Sequence, residues 1–372
     1  MDLDEFLATA LDLLALPSTA DRPDDLQRAV DLVVDHVGPG FEVERFCANG
    51  KPSALVYHQP EPVAPRPTFT VILNAHVDVV PADPHQFVPR IDGDRLHARG
   101  AQDMKVTALL QARAFRELAA TLPYPLALQI VADEEVGGRD GTLHQLEQGV
   151  RATFAIIGEH SGLNIVADSK GLLHAKLHAT GRSGHGAYPW LGDNALTKIM
   201  ATVVRLMSVY PAPNTEMWRT TVNLARVATP NLAINQVPAS AEAWLDIRFP
   251  AEDTDLTGRS VGELREYLQG FCETGVTVEI EKVNAPHHAD HGRPEIRLLR
   301  EAAQAQGYPA EFLYKHGSGD GAHLSAYGIA AVAFGVGGAG QHGPDEYADI
   351  ATITPYHRAL TSFLRGLATL SA

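Results

Sequence analysis

The sequence predicts an α/β protein, with a mixed central sheet flanked by helices, interrupted by an α+β insertion. Three observations predict it. Short apolar strand runs alternate with helical runs through about residue 160, the pattern of a layered α/β sheet. After K-G-L-L at 170–173 the order becomes β-α-β-β-α-β, that of a ferredoxin-like module, and the α/β pattern resumes near 286. A chain of 372 residues also exceeds an average single core. The predicted organisation is a discontinuous domain over 1–172 and 286–372, with a second domain over 173–285 inserted into it.

The elements follow in order. Residues 4–16 and 23–37 carry Leu, Val and Ala at helical spacing. Q-P-E-P-V-A-P-R-P at 59–67 is a Pro-rich loop within the first domain, because strand signals continue on either side of it. V-I-L-N-A runs as a strand into His76, V-T-A-L-L-Q-A-R-A-F reads as a helix, and P-L-A-L-Q-I-V-A-D as a buried parallel strand. In the insertion, H-A-K-L-H-A-T-G alternates as a half-exposed antiparallel strand and N-A-L-T-K-I-M-A-T-V-V-R-L-M follows as a helix. Alternating strands then fall at T-T-V-N-L-A-R-V and A-E-A-W-L-D-I-R-F. A helix near 261–272 and a strand at V-T-V-E-I-E-K-V close the unit.

Composition excludes some functions. With 45 acidic against 30 basic residues, the formal charge of −15 lacks the basic footprint of a nucleic-acid binder. Cys47 and Cys272 form no disulfide framework and match no metal spacing, so they read as structural thiols of a reduced compartment. The start, M-D-L-D-E-F-L, lacks the basic and long apolar regions of a signal peptide. No apolar run approaches the roughly 20 residues that cross a bilayer. The expectation is a soluble, cytoplasmic protein.

Five segments carry chemistry. Glu134 and Glu135 end the apolar run at 125–133, where a parallel sheet presents ligands. Two crowded carboxylates call for a cation, and diverging neighbours let one glutamate grip a metal while the other faces its water. The plain alternative is a solvated pair opening a helix. In H-V-D, His76 suits a metal-ligand imidazole oriented by Asp78, or a His packed on a core Asp. Asp103, in A-R-G-A-Q-D-M-K, is either a bridging carboxylate or a helix N-cap. Glu159 leaves the short strand before G-E-H-S, and His342 follows the strand A-A-V-A-F-G-V and a glycine loop. Together the set favours zinc-type ligation by imidazole and carboxylate.

These segments, H-V-D-V-V-P, G-A-Q-D-M-K, D-E-E-V-G-G, G-E-H-S and G-x-x-x-Q-H-G-P-D-E-Y, resemble the di-zinc family of acetylornithine deacetylase, succinyl-diaminopimelate desuccinylase, aminoacylase and carboxypeptidase G. The resemblance runs nearly end to end. It implies a zinc-peptidase-like catalytic domain and an inserted lid through which many members dimerise. It also implies two divalent ions per chain, zinc with cobalt or manganese as substitutes, and a bridging Asp103. His76 and Glu159 then complete one site, and Glu135 and His342 the other; Glu134 is the general base and Asp78 orients His76. Val106 and His160 depart from the family's usual glycine and proline, and neither removes a ligand.

In the insertion, G-H-G-A-Y-P-W-L-G-D-N-A resembles the family loop whose His, here His185, reaches a neighbouring active site and steadies an oxyanion. Asn235 and Arg248 resemble residues that hold the substrate's oxygens, and a surface salt bridge is the alternative for Arg248. K-H-G-S-G-D-G-A-H resembles a substrate loop in which Ser318 binds a carboxylate; a helix cap on Asp320 is the alternative. The cluster H-H-A-D-H at 287–291 has metal-like spacing but no family counterpart, and is read as solvated.

The resulting expectation is a metal-dependent hydrolase cleaving the amide of a small N-acylated amino acid. The rivals are a carboxypeptidase G-like enzyme or dipeptidase, a non-catalytic metal-binding homologue, and a single-domain di-zinc aminopeptidase. No base or ligand is missing, which argues against the second, and the insertion argues against the third.

Overall fold

The computed structural model describes residues 1–59 and 65–370, so most of the Pro-rich loop lies outside the described residues. The chain divides into two compact units. One comprises Met1–Asp168, His288–Tyr314 and Gly319–Ala372, and the other Ser169–His287 with Lys315–Ser318.

The first unit is built on a mixed sheet. At its centre four parallel strands lie side by side: Leu126–Val131, Phe69–His76, Ala152–Ile157 and Ala330–Ala333. Lys51–Tyr57 pairs antiparallel with Leu126–Val131, and Glu42–Ala48 forms the edge beyond it. The central strands are apolar on both faces because helices or loops cover both. Val71, Leu73 and Ala75 face the larger core, while Phe69 and Ile72 face the other side with Ala127, Ala155 and Ala331. Helices Leu3–Leu14, Pro23–Val37, Val106–Leu118 and Ile350–Leu370 contribute Phe6, Val30, Leu109 and Phe363 to the larger core. Local chemistry starts them: Asp2 caps the first helix by accepting from the Asp4 and Glu5 amides, and Pro23 opens the second.

The second unit has strand order Thr221–Ala228, Ser240–Phe249, Gly171–Thr180, Val276–Asn284, antiparallel throughout. That is the order of a ferredoxin-like β-α-β-β-α-β unit. Its helices Ala195–Val209 and Val261–Gln269 bury Ile199, Val203 and Leu264 against Leu173, Ala175 and Leu177. Asn194 caps the first helix, and Ser260 with Glu263 forms a capping box on the second.

Some boundaries differ from the sequence reading. Lys315–Ser318 belongs to the inserted unit, because Lys170 N–H donates to the Lys315 carbonyl at 3.0 Å and His316 pairs with Glu216. The H-H-A-D-H cluster is not merely solvated: His288 and His291 each bond one oxygen of the buried Asp168, at 2.6 and 2.7 Å. Cys47 is exposed and so is no packing thiol. No helix among the described residues is long and apolar enough to cross a membrane.

Candidate metal centre

The four parallel strands end at one edge, and each delivers a functional segment there. Phe69–His76 ends in His76 itself, Leu126–Val131 runs into Glu134 and Glu135, and Ala152–Ile157 into Glu159. Ala330–Ala333 leads through Phe334–Gly337 to the loop carrying His342. Carboxyl ends of parallel strands are where open α/β sheets bind ligands. Asp103 comes from the turn before Val106–Leu118, with extended backbone (φ −125°, ψ 93°). It does not cap that helix, so the N-cap alternative is wrong: its carboxylate is turned to His76 and His342.

Two overlapping groups result. His76, Asp103 and Glu159 form one, and Asp103, Glu135 and His342 the other, each with ligand atoms within 4.8 Å of one another. His76 Nε2 lies 3.1 Å from Asp103 Oδ1 and 3.4 Å from Glu159 Oε1. His342 Nε2 lies 3.3 Å from Asp103 Oδ2 and 3.1 Å from Glu135 Oε1. Asp103 thus offers one oxygen to each group. One imidazole and two carboxylates per group is a donor set that fits a divalent ion such as zinc. His342 sits in the left-handed region (φ 60°), uncommon for a residue other than glycine and concentrated at functional sites.

The electrostatics show how strongly the pocket asks for positive charge. Burial works against a charged His76, but hydrogen bonds to Asp103, Asp78 and Glu159 outweigh it and hold the ring's pKa well above the ordinary imidazole value. His342 is raised to about 10 by its bonds to Asp103 and Glu135. Burial would lift Asp103, yet the bonds to His342 and His76 hold it well below the carboxylate range. Carboxylates gathered this closely favour positive charge between them, which a divalent cation would supply.

The match to known proteins is extensive. The model for "Peptidase family M20/M25/M40" matches residues 72–366. The chain belongs to this family. A succinyl-diaminopimelate desuccinylase of Methylobacterium radiotolerans is 29% identical over 402 residues, covering 98% of each chain. A protein of Aspergillus terreus named "Probable carboxypeptidase" is 30% identical over 285 residues, 68% of this chain. The match spans 65% of that relative's length. A Bacillus subtilis protein described as a dinuclear metal-binding peptidase from the M20 family has the same fold. Its TM-score is 0.70 at 15% identity, over 99% of this chain and 98% of that one.

In this M20 chain Asp78 does more than face His76. His76 Nδ1 meets the Asp78 backbone carbonyl at 3.1 Å, and the carboxylate lies farther off, at 3.6 Å. That carboxylate accepts the backbone N–H groups of Glu134 and Glu135, at 3.2 and 3.0 Å. Asp78 therefore ties the imidazole to the glutamate turn. Glu134 is half-buried, and burial together with the Glu159 charge holds its carboxyl well above the ordinary range. Gly319 lies against it: a Cβ there would come within 2.8 Å of Glu134 Oε1.

Beneath this turn is a buried polar network that the sequence reading missed. Asp320 accepts from Thr142 Oγ1 at 2.6 Å and from Asn74 Nδ2 at 3.4 Å, and its helix is capped by no side chain, so the cap alternative is wrong. Asp133 accepts from the Asp140 amide at 2.6 Å. Burial, with the Asp320 charge second, pushes Asp133 up to about 7, and burial pushes Asp320 up to about 6. Both folded values exceed the ordinary 3.8, so ionisation opposes folding. The cost is absent below that value, grows as pH rises, and is complete above about 7. For Asp133 it is on the order of 4 kcal/mol. Asp133→Asn should therefore flatten the loss of stability between pH 5 and 8, read by urea denaturation at constant metal. An unchanged slope would remove Asp133 as its source.

The remaining predicted residues lie in the inserted unit. His185 is exposed, and its Nδ1 accepts from the Ala187 amide at 3.1 Å. In the neutral ring that places the proton on Nε2, leaving an outward donor. Asn235 adjoins it, its carbonyl accepting from the Gly186 amide at 2.7 Å. Arg248 bonds Asp246 through Nε at 2.7 Å, the salt bridge foreseen as its alternative. Ser318 Oγ is buried and has no hydrogen-bond partner among the described residues.

Proposed function

We propose that this chain is a metal-dependent hydrolase that cleaves the amide bond of a small N-acylated amino acid, with two zinc ions as the resident metals. The sharing of Asp103 between two ligand groups, with Glu134 beside them, carries the reading. Divalent ions held there would supply Lewis acidity to the scissile carbonyl and acidify a water. His76, Asp103 and Glu159 would hold one ion; Asp103, Glu135 and His342 would hold the other.

The chain's own residues do the rest. Glu134 takes the proton of the attacking water on its carboxylate. It then delivers the proton to the leaving nitrogen. Asp78 fixes the turn through its two amide bonds, and Gly319 leaves the carboxylate room. His185 donates from Nε2 to the developing oxyanion. Asn235 and Ser318 offer polar groups to the substrate, with Arg248 available only insofar as Asp246 shares it.

The proposed assembly is a homodimer paired through the inserted units. Strand Thr221–Ala228 ends the sheet order, so its outer edge pairs with no other strand among the described residues. Met200 and Val204 lie exposed one turn apart on helix Ala195–Val209. A carboxypeptidase-type activity is the second reading, favoured by the name of the Aspergillus relative.

Metal analysis and a substrate panel test the proposal together. Protein loaded with excess zinc should approach two ions per chain. Of N-acetyl, N-succinyl and N-formyl amino acids and dipeptides, the N-acyl substrates should turn over fastest. A ceiling at one ion per chain overturns the two-metal reading, and turnover of peptides alone transfers the assignment to the second.

A further inference from the structure

Glu346 lies in the Q-H-G-P-D-E-Y segment but belongs to neither ligand group. It is 2% exposed, and every bond it makes leads to the centre. Its Oε1 accepts the backbone N–H groups of Gln102 and Asp103, at 3.1 and 3.2 Å. Its Oε2 pairs with Arg99, itself 3% exposed. Arg99 uses a second nitrogen to donate to the Gly343 carbonyl at 3.2 Å, and Gln86 donates to that same carbonyl at 2.9 Å. Gly343 is the residue after His342. One carboxylate thereby grips the turn of the bridging ligand directly, and the loop of the terminal imidazole through Arg99.

The consequence for the two groups is unequal. His76 ends a central strand, in register with Val131, and Glu159 comes two residues after the end of another, so the sheet anchors both segments. His342 is farther from such a frame: it lies at the turn joining the short paired strands Gly338–Ala339 and Tyr347–Asp349, its side chain 45% exposed and its backbone in a left-handed conformation. The position of its Nε2 relative to Asp103 depends on what braces that loop. Breaking a buried ion pair leaves a charge buried without its partner, which is costly and suits a brace of fixed geometry.

Resting on the two-metal reading above, we propose that Glu346 is a positioning residue that sets the occupancy of the Asp103–Glu135–His342 group. Removing its charge frees the His342 loop, which is tied in through Arg99, while a side-chain oxygen can still hold the Gln102 and Asp103 amides. The second metal then binds more weakly, while the strand-end group with His76 and Glu159 keeps its ion. Groups that orient metal ligands in this way typically contribute about 10- to 100-fold in affinity.

The test titrates metal-free full-length protein with zinc against a chromophoric chelator, and with cobalt followed by visible absorption. Wild type should take two equivalents. Glu346→Gln, which keeps an oxygen for the amides but loses the ion pair, should take the first nearly as wild type and the second about 10- to 100-fold more weakly. Its absorption change on the second cobalt equivalent should differ from wild type. Arg99→Lys keeps a positive charge for Glu346 while losing the fork that reaches Gly343. It should show the same selective loss, and it keeps the proposal testable should Glu346→Gln fold poorly. Two wild-type-like equivalents with an unchanged cobalt spectrum in both variants overturn the brace. Equal weakening of both equivalents also overturns it, marking a general packing role. A wild type that takes fewer than two equivalents overturns the two-metal reading itself, a different result.

Discussion

Glu134→Gln is expected to lower turnover by about 10²- to 10⁴-fold, the usual contribution of a positioned acid–base group. Zinc content should stay at the wild-type level. The amide is isosteric and preserves the backbone bonds from Glu134 and Glu135 to Asp78, so the turn keeps its shape. What it loses is the ability to accept the proton of the attacking water. Glu135→Gln should behave differently, because Glu135 lies 3.1 Å from His342 within the second ligand group and its change should lower metal content. Near-normal activity in Glu134→Gln, or loss of its metal, would show that the two neighbouring glutamates have been given each other's roles.

His185→Ala is expected to lower turnover by about 100- to 1,000-fold, the typical effect of losing one oxyanion donor. His185 and the ligands of the centre belong to different compact units of the chain. A dimer paired through the inserted units would offer each His185 to the opposite centre. Mixing His185→Ala with Glu134→Gln under subunit exchange separates this arrangement from one confined to a single chain. In a mixed dimer working in trans, one site has both residues intact, so up to half of the sites recover. A mixture that stays inactive after confirmed exchange, or an active monomer, excludes action across subunits. Recovery with no dimer detectable by sedimentation would equally count against it.

Much of the fold was legible because its signals are local. The helix at Pro23–Val37 and the strand at Val276–Asn284 repeat apolar residues at their own periods, and Asn194 and Ser260 act within a few residues of themselves. The expectations that failed depended on distant partners. Asp320 reads as a cap when only its neighbours are visible, yet its carboxylate reaches Thr142 and Asn74 far along the chain. Lys315–Ser318 reads as part of the first domain by sequence position, and backbone pairing with Lys170 draws it into the second. The H-H-A-D-H cluster looked solvated because nothing nearby in sequence shows that Asp168 lies beneath it. For Glu346 a signal was present: Glu346 and Arg99 are charged residues inside two motif segments, and neither serves as a ligand. Their pairing across the fold could not be read from either segment alone.

Read along the chain, the residues already show which donors are available, the family they belong to and the strand-end setting that faces them toward a ligand. Residue chemistry and hydrophobic period are properties of short stretches, and a short stretch carries them whole. Only in the folded chain does Asp103 offer one oxygen to each group, Asp78 grip the glutamate turn, and Arg99 link Glu346 to the Gly343 carbonyl. Those contacts join residues up to 247 positions apart. They depend on the fold bringing these segments together, since hydrogen bonds and ion pairs act over a few ångströms of space and carry no trace along the chain.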